Sequence, residues 1–379
     1  MTNPLCTAGR RWLLGCGILS FGLAFAASSS ALAQERPGAV YVMTNQATGN
    51  AITAFARAAN GALTPHGTFS TGGLGFGSGT DPLGSQGALA LSAEGHFLYA
   101  VNASSNDISV MAATRSGLTL VGKVAAGGTE PVSLALHKNL LYVLNAGGTP
   151  NISGFTIRRD GMLVGLQGSQ QPLTGGTSAA PAAIAFSPDG NFLVVSEKGT
   201  NLIDTYAVLG TGLPSAPLSN SSKGMTPFGL AFALSGTLVT SEAGGGAAGA
   251  GSASSYTLSP TGNLVVSSGS VADTQTAPCW IVITDDGRLA FASNTASATI
   301  SSYTLAANGD LALANAIAGN TPASGGPTDM ALSSYDRFLY VINSAQGSVS
   351  AFAVGADGSL ASLPGVTGLP LSAQGIVAQ

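Results

Sequence analysis

The chain has 379 residues, of which 45% are hydrophobic and 8% charged, with a formal net charge of −4. Intrinsic disorder needs few apolar residues and many charges, and nucleic-acid binding needs a basic face, so this composition excludes both. Its 53 glycines, set among abundant Ala, Ser and Thr, point to short strands joined by tight turns.

At the N-terminus, Arg10 and Arg11 precede an apolar stretch from Trp12 to Ala27, and Ala31-Leu32-Ala33 forms a small-residue processing site. Residues 1–33 therefore read as a signal peptide cleaved after Ala33, which predicts a secreted or periplasmic protein. Gly15, Gly17 and Gly22 interrupt the apolar run and argue against a membrane anchor, and no later segment is apolar for long enough to span a bilayer. Gly9 to Leu14 also fits a twin-arginine signal, so the export route stays open; Cys16 comes too early for a lipoprotein box. Cleavage removes Cys6 and Cys16 and leaves Cys279 alone, which rules out an intramolecular disulfide. It also reduces the 13 basic residues to 11 against 17 acidic ones, a net charge of about −6. Nucleic acid and anionic membrane are poor partners for such a chain.

A run of the type Leu-Tyr-Val-x-Asn then recurs seven times, ending at Asn45, Asn102, Asn145, Glu197, Glu242, Asn294 and Asn343. The spacings of 57, 43, 52, 45, 52 and 49 residues match one four-stranded propeller blade per repeat. The fourth repeat is the clearest. Pro181 to Phe186 is a first strand, Ser187-Pro188-Asp189-Gly190 a tight turn and Asn191 to Ser196 a second strand. Ile203 to Tyr206 is a third, and Gly212-Leu213 opens the outer fourth. The third-strand pattern recurs at Ile52, Ile108, Ile152, Ser254, Ile300 and Val349, and six first strands begin near Ser85, Pro131, Pro181, Pro227, Pro278 and Pro327. The repeat that opens at Ala39 lacks a first strand, and Ala373 to Ala378 has the composition to supply it. The sequence thus predicts an all-β, seven-bladed propeller over residues 34–379, its ring closed by pairing the two termini. Insertions at Ser70 to Gly84 and Ala243 to Ala253 open on one rim, where a ligand site is expected.

Leu-Tyr-Val-x-Asn followed by Ile-x-x-Phe, with Ser-Pro-Asp-Gly turns, resembles the YVTN-type repeat of the seven-bladed propeller lactonase family, which includes 6-phosphogluconolactonase and carboxymuconate cyclase. The resemblance implies active-site His and Arg on first strands and a Glu after a second strand. Pro181-Ala182-Ala183 stands at the family's Pro-Arg-His opening, Gln86-Gly87-Ala88 at the His-bearing one, and Glu197 at the Glu. A phosphorylated sugar lactone or a tricarboxylate would need Arg or His near the channel. The first strands carry neither, which leaves an uncharged lactone.

Glu197 and Glu242 replace Asn on adjacent blades, so two carboxylates flank one rim. Such a pair supplies general acid-base chemistry or binds a divalent cation; the alternative is that both cap loop backbone as Asn does, with Lys198 pairing Glu197. Cys279 and Trp280 open a first strand and offer a nucleophile and a stacking surface, against an alternative of buried packing; Asp329 and Gln86 stand on other first strands. His66 lies in an outer strand and His96 and His137 on the opposite rim, so no His cluster for a metal is expected. The glycines from Gly72 to Gly77 lack the Lys-Ser/Thr and helix of a phosphate loop. The reading is an exported monomer without a cofactor, a divalent cation remaining an alternative. It hydrolyses a small lactone with Glu197 or Glu242 as general base, Trp280, Cys279, Asp329 and Gln86 binding the ligand. The alternative is a non-catalytic propeller that binds a surface glycan or protein.

Overall fold

A computed structural model describes residues 37–379, Ser78 and Arg115 excepted, so the expected leader lies outside the described residues. Seven antiparallel sheets follow one another along the chain. The inner strands of each blade are buried on both faces, one against the sheet before and one against the sheet after, while the outer strands stay largely exposed, a pattern that a ring of sheets satisfies throughout. Blade 4 illustrates the order outward from the axis: Pro181–Phe186, Phe192–Glu197, Leu202–Ala207 and Leu218–Ser221.

The ring closes as expected. Ile376–Ala378 pairs with Gly38–Met43 through the register Val40 to Ala378, Tyr41 to Val377 and Val42 to Ile376. This strand is shorter than the predicted Ala373 to Ala378, because Gln374 turns its side chain to the axis and accepts the Leu83 N–H.

The tyrosine of the repeat has a clear task. Tyr99, Tyr142 and Tyr340 are fully buried, and each donates its hydroxyl to the turn of the next blade, at Gly161 (3.1 Å), Gly212 (2.7 Å) and Gly61 (2.8 Å). The Gly-x-Leu signal is thus a turn whose carbonyl receives the neighbouring blade.

Three outer or inner strands differ from expectation. In blade 4 the outer strand starts at Leu218 rather than Gly212, since Pro214 and Pro217 have no N–H for the ladder. In blade 3 the outer edge is split into Leu163–Gly165 and Gln171–Pro172, both pairing with Asn151–Ile157. In blade 2 the first strand is only Leu89–Leu91, because the residues before it are drawn into the channel. Among the described residues no helix is long and apolar enough to cross a membrane.

Candidate functional site

Residues 81–87, the end of the long blade 1 to blade 2 connection, lie along the axis and bond to blade after blade. The Gln86 N–H donates to Ala182 of blade 4 (2.9 Å), and its carbonyl accepts from Ser133 Oγ of blade 3 (2.5 Å). Its side-chain amide donates to Leu230 of blade 5 (3.0 Å) and Ile281 of blade 6 (3.1 Å), and its Oε1 accepts the Ile281 N–H (3.0 Å). Gly87 donates to Asp329 Oδ2 of blade 7 at 3.5 Å. Trp280 Nε1 and Gln374 Nε2 both donate to the Ser85 carbonyl at 2.9 Å.

Four of the residues picked out in the sequence therefore gather around one segment. Gln86 is half-buried and its amide is saturated with backbone partners. Trp280 is fully buried, with its ring 4.9 Å from that of Phe228. Asp329 is buried and also accepts the Met330 N–H at 3.0 Å. Cys279 is buried, and burial pushes its thiol up to about 12, so the thiolate that nucleophilic attack requires is absent at neutral pH.

Glu197 and Glu242 stand apart from this group. Both are fully buried beneath the rim loops. Glu197 accepts from the Gly175 N–H (3.1 Å) and Thr200 Oγ1 (2.5 Å). Glu242 accepts from the Gly224 N–H (2.8 Å), Ser254 Oγ (2.5 Å) and Ser252 Oγ (2.6 Å). A Cβ on Gly175 or Gly224 would sit 2.3 or 2.1 Å from the carboxylate, so only glycine lets the loop come down on it. These are the positions where Asn294 donates to Thr299 and Ser301, and Asn343 to Ser348 and Ser350.

Two charged groups beside the axial segment had not been picked out as site residues. Asp81, half-buried and in the left-handed conformation at φ +57°, accepts from Gln374 Nε2 at 2.6 Å. Burial pushes its carboxyl up to about 7, against the opposing pull of the Lys198 charge and the Gln374 bond. Lys198 does not turn to Glu197. Its ammonium donates to the Gly84 carbonyl and lies 4.7 Å from the centre of the Phe228 ring, and burial lowers its pKa. Burial likewise pushes Asp329 up to about 7, with the Asp81 charge adding to it. The hint available in the sequence was Asp81 at the end of an insertion already expected to open on the ligand-bearing rim. Among the described residues no three His, Cys, Asp or Glu side chains come together to hold a metal ion.

The family described as "Lactonase, 7-bladed beta-propeller" matches residues 34–176 and 152–243. The chain belongs to the seven-bladed propeller lactonases. No curated protein matches it. Among solved structures, a Lactobacillus plantarum protein superposes on this propeller lactonase with a TM-score of 0.70 at 19% identity, covering 90% of this chain and 99% of its own. A candidate 6-phosphogluconolactonase of Bacteroides uniformis gives 0.69 at 18% identity, with 90% and 99% covered. The periplasmic gluconolactonase PpgL of Pseudomonas aeruginosa gives 0.65 at 17%, with the same coverage. Identities this low establish a shared fold, while substrate resides in side chains that differ.

Proposed function

We propose that this propeller lactonase is an exported, monomeric hydrolase of a small uncharged lactone, whose reacting centre is the axial mouth formed by Asp81 and Lys198. The observation that carries the reading is the half-buried Asp81 carboxyl on that mouth, with the Lys198 charge acting on it, while Asp329 is committed to the Gly87 and Met330 amides. A base that titrates near the working pH accepts a proton most effectively. Asp81 takes a proton from water as its oxygen adds to the lactone carbonyl, and the Lys198 charge stabilises the oxyanion. The ring C–O bond then breaks and the departing alkoxide receives the proton held by Asp81, giving the hydroxy acid. Glu197 and Glu242 hold the rim loops in place around this mouth. Export is supported by the Arg10-Arg11 leader and its processing site, and fits the periplasmic location named for the Pseudomonas relative.

The test is a panel of neutral γ- and δ-lactones offered to exported protein, whose mass should begin at Gln34. Turnover is expected to rise with pH through about 7, because the deprotonated form of Asp81 is the active one. Asp81→Asn should lower kcat by about 100-fold or more. Glu197→Gln and Glu242→Gln should keep most of the turnover and lose melting temperature. Unchanged turnover in Asp81→Asn would sink the assignment of the base. The filling of the channel by residues 81–87 favours a second reading, a non-catalytic propeller whose rim binds a surface glycan or protein, and absence of turnover across the panel selects it.

A further inference from the structure

Tyr41 departs from what the other tyrosines of the repeat do. Strand register makes it their equivalent: Tyr99, Tyr142 and Tyr340 stand two positions before the partners of Ile108, Ile152 and Val349, and Tyr41 stands two positions before Met43, the partner of Ile52. The acceptor this predicts is the Gly117 carbonyl in the third-to-fourth turn of blade 2. That turn is short, with Thr114 pairing directly with Gly117, and the carbonyl accepts Thr114 Oγ1 at 3.0 Å instead. Junctions without such a tyrosine are tied at the same turn by Thr205 to Gly262 (2.7 Å), Ser255 to Gly309 (2.7 Å) and Asn315 to Asp357 (3.2 Å). Between blades 1 and 2 no such tie is present among the described residues.

A cavity of about 350 Å³ lies at that junction, a size within the roughly 300–1,000 Å³ of small-molecule sites. Its described lining is mainly apolar, with Ala39, Ala56 and Ala113 among the walls and Tyr41 and Gln379 as polar members. Tyr41 is only 6% exposed, and its oxygen accepts from Gln379 Nε2 at 3.4 Å while its own proton meets no acceptor among the described residues. Burial raises its pKa, which keeps that proton on the oxygen. A buried donor without an acceptor is costly, and a ligand that supplies the acceptor relieves the cost.

We propose that this cavity binds a small uncharged carbonyl compound, a ketone, ester or amide whose oxygen accepts the Tyr41 proton and whose hydrocarbon lies against Ala39, Ala56 and Ala113. The described lining holds no carboxylate, ammonium or guanidinium, so an ion would shed its water without meeting a counter-charge. A wholly apolar molecule would leave the Tyr41 donor unpaired.

The experiment titrates 4-fluoroacetophenone into the protein and follows it by fluorine NMR, with 4-fluoroethylbenzene and 4-fluorobenzoate as separate arms. Saturable binding of the ketone is expected, weakened about three- to tenfold by Tyr41→Phe and abolished by Ala113→Leu, which fills the cavity. Tyr41→Phe removes a hydroxyl that no turn receives, so its melting temperature and its lactone turnover should match those of the parent protein, and weaker binding there is not a loss of fold. Asp81→Asn should bind the ketone as the parent does, which keeps this site distinct from the Asp81 mouth. Absence of saturable ketone binding, equal affinity in Tyr41→Phe, or weaker binding in Asp81→Asn would each overturn the proposal. So would binding of either control as tight as that of the ketone, or a melting temperature lowered by Tyr41→Phe as much as by Tyr340→Phe.

Discussion

A hydroxyl can donate or accept, and at the end of the second strand this lets Glu242 and Asn294 occupy equivalent places. Asn294 gives its protons to Thr299 and Ser301, whereas Glu242 takes them from Ser252 and Ser254. Blade 4 lacks this adaptability, because Asp204 stands where Ser109, Ser254, Ser301 and Ser350 stand elsewhere, so Glu197 faces another acid. Both are fully buried, Asp204 Oδ1 has no hydrogen-bond partner, and Asp204 Oδ2 accepts the Thr174 N–H at 2.7 Å. Burial first, and then Asp204, raise the pKa of Glu197. Folding therefore holds that proton more tightly than the unfolded chain does. The stability it brings is complete below the ordinary glutamate range and is lost as pH rises through the raised value. Asp204→Ser should make the fall in melting temperature as pH rises above the ordinary glutamate range shallower than in the parent. Equal slopes would show that the two acids do not share a proton. Glu197 and Glu242 were legible in the sequence because they interrupt a repeat. Asp81 interrupts nothing, and its proton affinity depends on what packs around it.

At the scale of the element, blade is fastened to blade by a side chain that the repeat already displays. Tyr340 spans the closing interface, from blade 7 to the Gly61 carbonyl of blade 1. Tyr340→Phe keeps the ring buried and leaves that carbonyl without its donor, a cost of about 1–2 kcal/mol. Chemical denaturation should show that loss with an unchanged slope; no loss would mean that water replaces the hydroxyl. Strands with strong alternation and a Pro start, such as Pro181–Phe186 and Pro278–Ile283, were readable to within a residue. Ser85 to Gly87 was not, because the backbone of Gln86 and Gly87 bonds to Ala182 of blade 4 and Leu134 of blade 3, and only from Ala88, which accepts the Val101 N–H, does the chain join its own blade. Local pattern has no access to partners that distant.

At the scale of the whole molecule, the ring is closed at its edge by three paired residues and braced at its centre by residues 81–87. Deleting residues 373–379 removes the closing strand, the buried Ile376 and the Gln374 bonds to Asp81 and Ser85. Lost burial and hydrogen bonding amount to about 3–5 kcal/mol, a drop of roughly 5–10 °C in melting temperature. An unchanged transition would mean that the central brace alone holds the ring. By itself the sequence determined the seven blades and the closing strand, because strand period, turn chemistry and repeat length are local properties that every copy restates. Only the tertiary structure decided that Glu197 and Glu242 lie beneath loops and that the Lys198 charge acts on Asp81 beside the axial segment. Closing the ring brings residues more than a hundred positions apart to one axis, and no local signal carries that proximity.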